Sequence, residues 1–194
     1  MNYIVIDLEF NQCYNFNDGN ITVNEPKCPF EIIQIGAVKM NENFEITDTA
    51  DFLIKPVVYN RMHPYVQDIT GISMDSLEDK LGFKEVYQNF IKFLDNQKII
   101  LCVWGESDLN ALFRNIEYHN LDGRFITKEY INVQALASTH FERPAGIPIG
   151  LKNAVLELNL NSDMAFHNAY YDALYTAQIF QLVKTDSIIT KIFN

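Results

Sequence analysis

Two carboxylates, Asp7 and Glu9, interrupt a stretch that otherwise reads as a buried apolar strand, Asn2-Tyr3-Ile4-Val5-Ile6-Asp7-Leu8-Glu9-Phe10. Side chains alternate across a strand, so both acids point to one side, about 6–7 Å apart along the backbone. An unpaired carboxylate in a low-dielectric interior costs several kcal/mol, so that side must face water, a basic partner or a bound cation. A hard divalent metal, which prefers oxygen ligands, satisfies both acids at once. Taken alone, a D-x-E at a strand end is commonly just the solvated face of a half-buried strand.

Two further stretches change that balance. Trp104-Gly105-Glu106-Ser107-Asp108 follows a short apolar run, Ile99 to Trp104, and opens a helix. Asp108 therefore stands at a strand's carboxyl end beside helix amides. By itself it would be an ordinary N-terminal helix acid favoured by the macrodipole. The third stretch is His167-Asn168-Ala169-Tyr170-Tyr171-Asp172-Ala173. Five residues along an ideal helix do not share a face. With His167 in the loop before the helix and Asp172 in its second turn, both can reach one site. A lone histidine there is ordinarily a cap or a solvated loop residue. The order D-x-E on a first strand, D after a central strand, then H-x(4)-D opening the last helix is far more specific than any member.

The elements that must position these groups follow from periodicity. After the first strand, residues 11–29 are rich in Asn and contain Asp18-Gly19, Pro26 and Pro29, which reads as a long functional or mobile loop. Glu31–Met40 and Phe44–Lys55 are strand candidates joined by the Asn41-Glu42-Asn43 turn, hence an antiparallel hairpin. Residues 56–72 read as a polar connection with a few apolar anchors. Ser73 can cap a short helix, with Ser76 as an alternative start, and Gly82 is placed to stop it. From Phe83 apolar residues recur at helical spacing, and Ile99–Trp104 is a strand buried on both faces. Ser107 is placed to cap the next helix. A weaker strand includes Tyr130, Ile131 and Val133, and helices follow from Leu151 and from about Asn168 to Val183. Hairpin-linked strands first and helix-separated strands later imply an α/β fold with a mixed sheet, antiparallel at one end and parallel at the other, flanked by helices. With no repeat, low-complexity tract or linker, residues 1–194 read as a single domain.

Composition limits the classes of function. The chain has 194 residues, 48% of them apolar and 21% charged, as in an ordinary soluble globular protein. No basic region followed by an apolar run opens it, and no stretch approaches the ~18 apolar residues of a membrane span. The expectation is a cytoplasmic protein without membrane attachment. Cys13, Cys28 and Cys102 are odd in number and lack C-x-x-C spacing, which favours free thiols over disulfides or zinc. Asn20-Ile21-Thr22 matches a glycosylation acceptor but carries no meaning without a secretory signal. A formal charge of −10 argues against coating long nucleic acid, which relies on Lys and Arg displacing counterions. It leaves open an enzyme that holds only a chain end, because bound divalent metals reverse the local field.

On these three stretches the chain resembles the DEDDh 3′→5′ exonucleases, in particular the RNase T and ERI-like branch with its bacterial sporulation-inhibitor relatives. Glu31-Ile32-Ile33-Gln34-Ile35-Gly36-Ala37, Ile69-Thr70-Gly71-Ile72 and Gly150-Leu151-Lys152 add to the likeness, which runs from Asn2 to about Val183. The resemblance implies a ribonuclease-H-like fold, a mixed five-stranded sheet flanked by helices. It also implies that Asp7, Glu9, Asp108 and Asp172 hold two divalent cations, Mg²⁺ or Mn²⁺, and that His167 is the general base. Asp7 would bridge the ions. Two departures concern grip and preference more than catalysis: Gln34 stands where an acid is frequent, and Asn168 where Arg is frequent.

The implied chemistry needs these residue types. Phosphodiester hydrolysis requires an activated water and stabilisation of the leaving oxygen, which two metal ions about 3.5–4 Å apart supply. A neutral imidazole, titrating near pH 7, can take the water's proton. The expected partner is the 3′ end of a single-stranded nucleic acid, RNA favoured over DNA, with nucleoside 5′-monophosphates as products. Phe10 is the expected platform for the terminal base, and Ile72 or Trp104 could wedge or support it. Arg61, His63, Arg143 and Lys152 could meet phosphates. Two alternatives stay open at this point: a DNA proofreading or repair exonuclease, and a non-catalytic nucleic-acid or protein-binding module on the same fold.

Overall fold

The computed structural model describes residues 2–18, 21–22, 24–95, 98–184 and 190–193. Gly19 of the Asp18-Gly19 pair and Asn20 of the acceptor triplet lie outside the described residues. Among the described residues six strands form one sheet: β1 (Asn2–Gln12), β2 (Phe30–Met40), β3 (Ile46–Leu53), β4 (Ile99–Val103), β5 (Glu129–Asn132) and β6 (Lys191–Ile192). Their spatial order is β3-β2-β1-β4-β5-β6. The first three are antiparallel neighbours, β4 and β5 run parallel to β1, and β6 returns antiparallel to β5. Five strands give the mixed sheet expected from the sequence. The sixth is an addition: two exposed residues are too few to show a period of two, and β6 is recognisable only by its pairing with Glu129 and Tyr130.

Among the described residues seven α-helices accompany the sheet: α1 (Pro64–Thr70), α2 (Met74–Leu77), α3 (Phe83–Leu94), α4 (Ser107–Tyr118), α5 (Val133–His140), α6 (Leu151–Glu157) and α7 (Ala169–Val183). The alternation of β1 and β4 sorts them into two layers. Ile4, Ile6, Leu8, Leu101 and Val103 face α3 and α4, whereas Tyr3, Val5, Ile100 and Cys102 face α5, α6 and α7. β4 is buried along its whole length, as its continuous apolar run requires.

Helix α1 replaces the irregular connection expected over residues 56–72. Pro64 suits the first helical turn, where no amide donor is needed, and the His63 ring nitrogen accepts the Tyr65 N–H as the cap. The sequence signal was weak because histidine is an uncommon cap. Val133 belongs to α5 rather than to the strand before it, since Asn132 caps that helix through the Ala135 N–H. Ser73 forms the expected cap, in a reciprocal box with Ser76, but its helix ends at Leu77. The described part of residues 13–29 is less open than its composition suggests: Asn15 and Ile21 form an antiparallel bridge, and Arg61 pairs with Asp18 while lying 3.6 Å over the Phe16 ring.

One bulge matters for the site. Glu9 lies opposite Gln34, but Phe10 lies opposite Ile32, so Ile33 is the extra residue. Its side chain turns into a small cluster with Met62, Val66, Ile72 and Leu77, which seats α1 and α2 against the sheet. The neighbouring connection is held by buried polar groups. The Glu31 carboxylate accepts the Val57, Val58 and Tyr59 amides, and the Asn11 side chain bonds the Arg61 carbonyl and the His63 N–H.

Candidate active site

Strand periodicity delivers the first two acids. Tyr3 and Val5 enter the core under α7, so Asp7 and Glu9 continue that face to the carboxyl end of β1. Parallel pairing with β4 stops at Ile6 and Val103, one residue before Asp7. There the second chain turns: Gly105 takes φ +92, a conformation that strains other residues, and the chain enters α4 with the buried Asp108 in its first turn. Asp7 and Asp108 thus meet at the carboxyl edge of adjacent parallel strands, the usual position of ligand sites in such sheets.

Helix α7 brings the third group. Gly36, opposite Asp7 on β2, leaves room for its first turn: a Cβ there would lie 2.0 Å from the Ala169 carbonyl oxygen. Asn168 caps the helix by accepting the Tyr171 N–H at 3.3 Å, and Gln34 Oε1 accepts the Ala169 N–H at 3.1 Å. Asp172 falls in the first turn, earlier than expected from sequence, and still reaches the site. His167 has φ +60, in the left-handed region, and its N–H donates to Asp172 Oδ2 at 3.0 Å. This bond stabilises a backbone conformation that is costly for a residue with a side chain. Glu9, His167 and Asp172 each offer a ligand atom within 4.8 Å of the others.

The four carboxylates repel one another. Burial pushes Asp7 well above the usual carboxylate range, and the charges of Asp108, Asp172 and Glu9 push it further. Burial, then Asp172 and Asp108, raises Glu9 to about 8. Asp108 is raised by burial and by Asp172, with the Ser107 hydroxyl opposing. Burial raises Asp172 to about 6, moderated by the His167 N–H. Asp172 Oδ1 is buried without a hydrogen-bond partner. An unsatisfied carboxylate oxygen amid three further acids and an imidazole is a donor set that fits hard divalent cations, which would reverse these shifts.

The residues expected to contact substrate occupy different surroundings. Phe10 lies on the opposite face of β1, its ring 5.3 Å from that of Phe30. Both line a cleft of about 280 Å³ with Pro29, Ser107, Asn110, Ala111 and Arg114, adjacent to Asp108. Ile72 is 7% exposed and packs between α1 and α2. Trp104 is half-buried against the core beneath α7, with its indole N–H buried and unpartnered. Arg61 is taken up by Asp18 and Phe16, Arg143 pairs with Glu157, His63 caps α1, and Lys152 lies 5.7 Å over Phe166. The sequence tied Gln34 to substrate grip and preference, not to the seating of α7, and gave Gly36 no role. Their spacing held a signal, because two residues apart on β2 they share one face just as Asp7 and Glu9 do on β1.

A mixed sheet with acids at the carboxyl end of its central strands and an acid on the last helix defines a ribonuclease-H-like nuclease architecture. The RNase T exonuclease family model matches residues 4–180, and the chain belongs to this family, the class of DEDDh 3′→5′ exonucleases. It is 31% identical over 150 residues to the PolC-type DNA polymerase III of Thermotoga petrophila, across 77% of this chain and 10% of that protein. The chain thus spans about a tenth of the length of the curated relatives it matches. Among solved structures, the nuclease domain of 3′hExo, a DEDDh family member bound to rAMP, superposes with a TM-score of 0.80 at 21% identity, covering 100% of this chain and 96% of that one. E. coli exonuclease I with a dT13 oligonucleotide gives 0.72 at 18% identity, over 95% and 41%. These two likenesses are likenesses of fold. Divalent metal ions belong to the chemistry of this family. Among the described residues no helix is long and apolar enough to cross a membrane.

Proposed function

We propose that the protein is a divalent-metal-dependent exonuclease that removes nucleoside 5′-monophosphates from single-stranded 3′ ends, RNA in preference to DNA. The observation that carries this reading is the convergence of Glu9, His167 and Asp172 within 4.8 Å, beside Asp7 and Asp108 and around a carboxylate oxygen with no partner. A pure binding module has no use for clustered negative charge facing phosphates.

Asp7, Glu9, Asp108 and Asp172 would hold two ions, Mg²⁺ or Mn²⁺. When bound, such ions supply a water of lowered pKa and neutralise charge on the phosphate and the leaving oxygen. His167 is the proton acceptor: its exposed imidazole stands on a turn whose main-chain N–H is anchored to Asp172. Carboxylates at the carboxyl end of β1 and β4 fix where a phosphate can sit, and the N-terminus of α4 adds amide dipoles there. Phe10 and Phe30 present an aromatic-lined cleft for a base, a contact worth about 1–3 kcal/mol and indifferent to sequence. Ile72, in the α1–α2 cluster, and Trp104, in the layer under α7, would meet the substrate outside this cleft. The 3′hExo nuclease domain, bound to rAMP, supports the RNA preference. A DNA proofreading role is the second reading, favoured by the PolC-type relatives.

The test uses 5′-labelled single-stranded RNA and DNA of one sequence with Mn²⁺, Mg²⁺ or chelator, alongside Asp7→Ala. A metal-dependent ladder shortening from the 3′ end, absent in the variant, is expected, with RNA cut faster. Faster cutting of DNA selects the proofreading reading. No cleavage of either strand by folded protein in both metals refutes the proposal.

A further inference from the structure

We infer that Gln34 is a positioning residue of this site, a neutral clamp that seats the first turn of α7 on the sheet and so sets the separation of His167 and Asp172 from Glu9. The inference rests on the exonuclease reading above and deepens it.

Gln34 stands directly across from Glu9 in the β1–β2 ladder and is 1% exposed. Both ends of its amide are engaged. Nε2 donates to Asp51 Oδ1 of β3 at 2.8 Å, and Oε1 accepts the Ala169 N–H at 3.1 Å. The orientation follows from chemistry: the Ala169 N–H only donates, so the amide oxygen must face α7 and the NH₂ faces the Asp51 carboxylate. The first amides of a helix have no partner within it. At α7 three acceptors engage amides here: Asn168 takes Tyr171, Asp172 takes His167, and Gln34 takes Ala169. The first two acceptors lie within the segment they order. Gln34 belongs to the sheet, and it therefore ties that segment to the strands carrying Asp7 and Glu9. Gly36, two residues along the same face, permits the close approach that this bond requires.

Neutrality is the second half of the role. Directly paired residues on antiparallel strands have Cβ atoms about 4.5–5.5 Å apart, and like charges there are destabilising. A carboxylate at position 34 would face Glu9 and add a fifth negative charge to the cluster. The amide offers the same acceptor to Ala169 without that charge.

Gln34→Met keeps the volume and loses both hydrogen bonds, whereas Gln34→Glu keeps an acceptor for Ala169. Groups that orient metal ligands typically change affinity or activity by about 10–100-fold when removed. For Gln34→Met we expect kcat to fall by about that factor with KM little changed, Mn²⁺ binding in calorimetry to weaken about tenfold, and hydrogen exchange to quicken in the 167–172 segment. Gln34→Glu should restore exchange protection there, which the bond to Ala169 sets, but recover kcat only in part, because its charge stands opposite Glu9. If Gln34→Met does not fold, Gln34→Asn, one methylene too short to reach Ala169, replaces it with the same expectations. Wild-type kcat and Mn²⁺ affinity in folded Gln34→Met overturn the inference, as does faster exchange spread evenly over the chain. Should wild-type protein cut no oligonucleotide, the exonuclease reading fails, while Mn²⁺ affinity and exchange still decide the role of Gln34.

Discussion

Replacing Gly36 by alanine tests how the site is assembled, because one methyl group stands between β2 and the helix that carries Asp172. The added carbon would lie 2.0 Å from the Ala169 oxygen, 2.1 Å from its carbonyl carbon and 2.4 Å from the Tyr170 nitrogen. All three are backbone atoms, so no side-chain rotation relieves the clash. Ordinary contact begins at 3.4 Å, and the first turn of α7 must retreat by about 1.4 Å from β2. Overpacking of this kind costs about 1–3 kcal/mol. In a domain of this size each kcal/mol lowers Tm by about 2–4 °C, so thermal unfolding should shift down by about 2–12 °C. The catalytic effect is expected to be larger than the stability effect. Asp172 and His167 move with the helix, away from Glu9 and Asp7, and a misplacement near 1 Å can cost about 100-fold in rate. Initial rates on a labelled oligonucleotide, measured below the new Tm, should therefore fall by about two orders of magnitude while the protein remains folded. A Gly36→Ala variant with wild-type Tm and wild-type rate would refute the claim that close seating of α7 on β2 builds the site.

Further outcomes follow from the charges. Asp7→Asn should abolish metal-dependent cleavage yet stabilise chelator-treated protein by about 0.5–2 kcal/mol, or about 1–8 °C in Tm, because it removes a carboxyl whose ionisation is opposed by burial and by three neighbouring acids; an unchanged or lowered Tm in chelator would contradict this. The stability of chelator-treated protein should fall as pH rises from 6 to 8.5. Glu9 near 8 and Asp172 near 6 lie above their unfolded values of about 4, so the folded state holds more protons in that window and loses ground as they leave. Saturating Mn²⁺ should flatten this slope, and a Tm that rises with pH in chelator would count against it.

The overall charge of −10 and the proposed grip on a polyanion are reconciled by locality. The negative charge of the site is concentrated at the carboxyl edge of β1 and β4, where divalent ions would invert it. The basic residues that could have formed a phosphate track are partly engaged elsewhere, Arg61 by Asp18 and Arg143 by Glu157. Such a surface suits the holding of one chain end and does not suit tracking along a duplex.

Periodicity within single elements was legible from the chain alone. The alternation that sends Asp7 and Glu9 to one face, the continuous apolar run of β4, the apolar stripe of α7 and the order D-x-E, D, H-x(4)-D are local, and a strand or helix projects its side chains by its own geometry. The mixed sheet followed from connection lengths in the same way. Other features depend on contacts between segments distant in sequence. The chain did not reveal that Gly36 lies under Ala169, that Gln34 holds the first amide of α7, or that Glu31 anchors residues 57–59. The two-residue β6 exists only through its partner β5, and α1 only through an uncommon cap and the cluster around Ile33. Phe10 and Ile72 read alike as exposed apolar contacts, and only packing placed one in a cleft beside Asp108 and the other inside a core cluster. Local geometry sets which way a side chain points along its own element. The separation between His167, Asp172 and Glu9 belongs to the seat of α7 on β2, which long-range close packing alone determines.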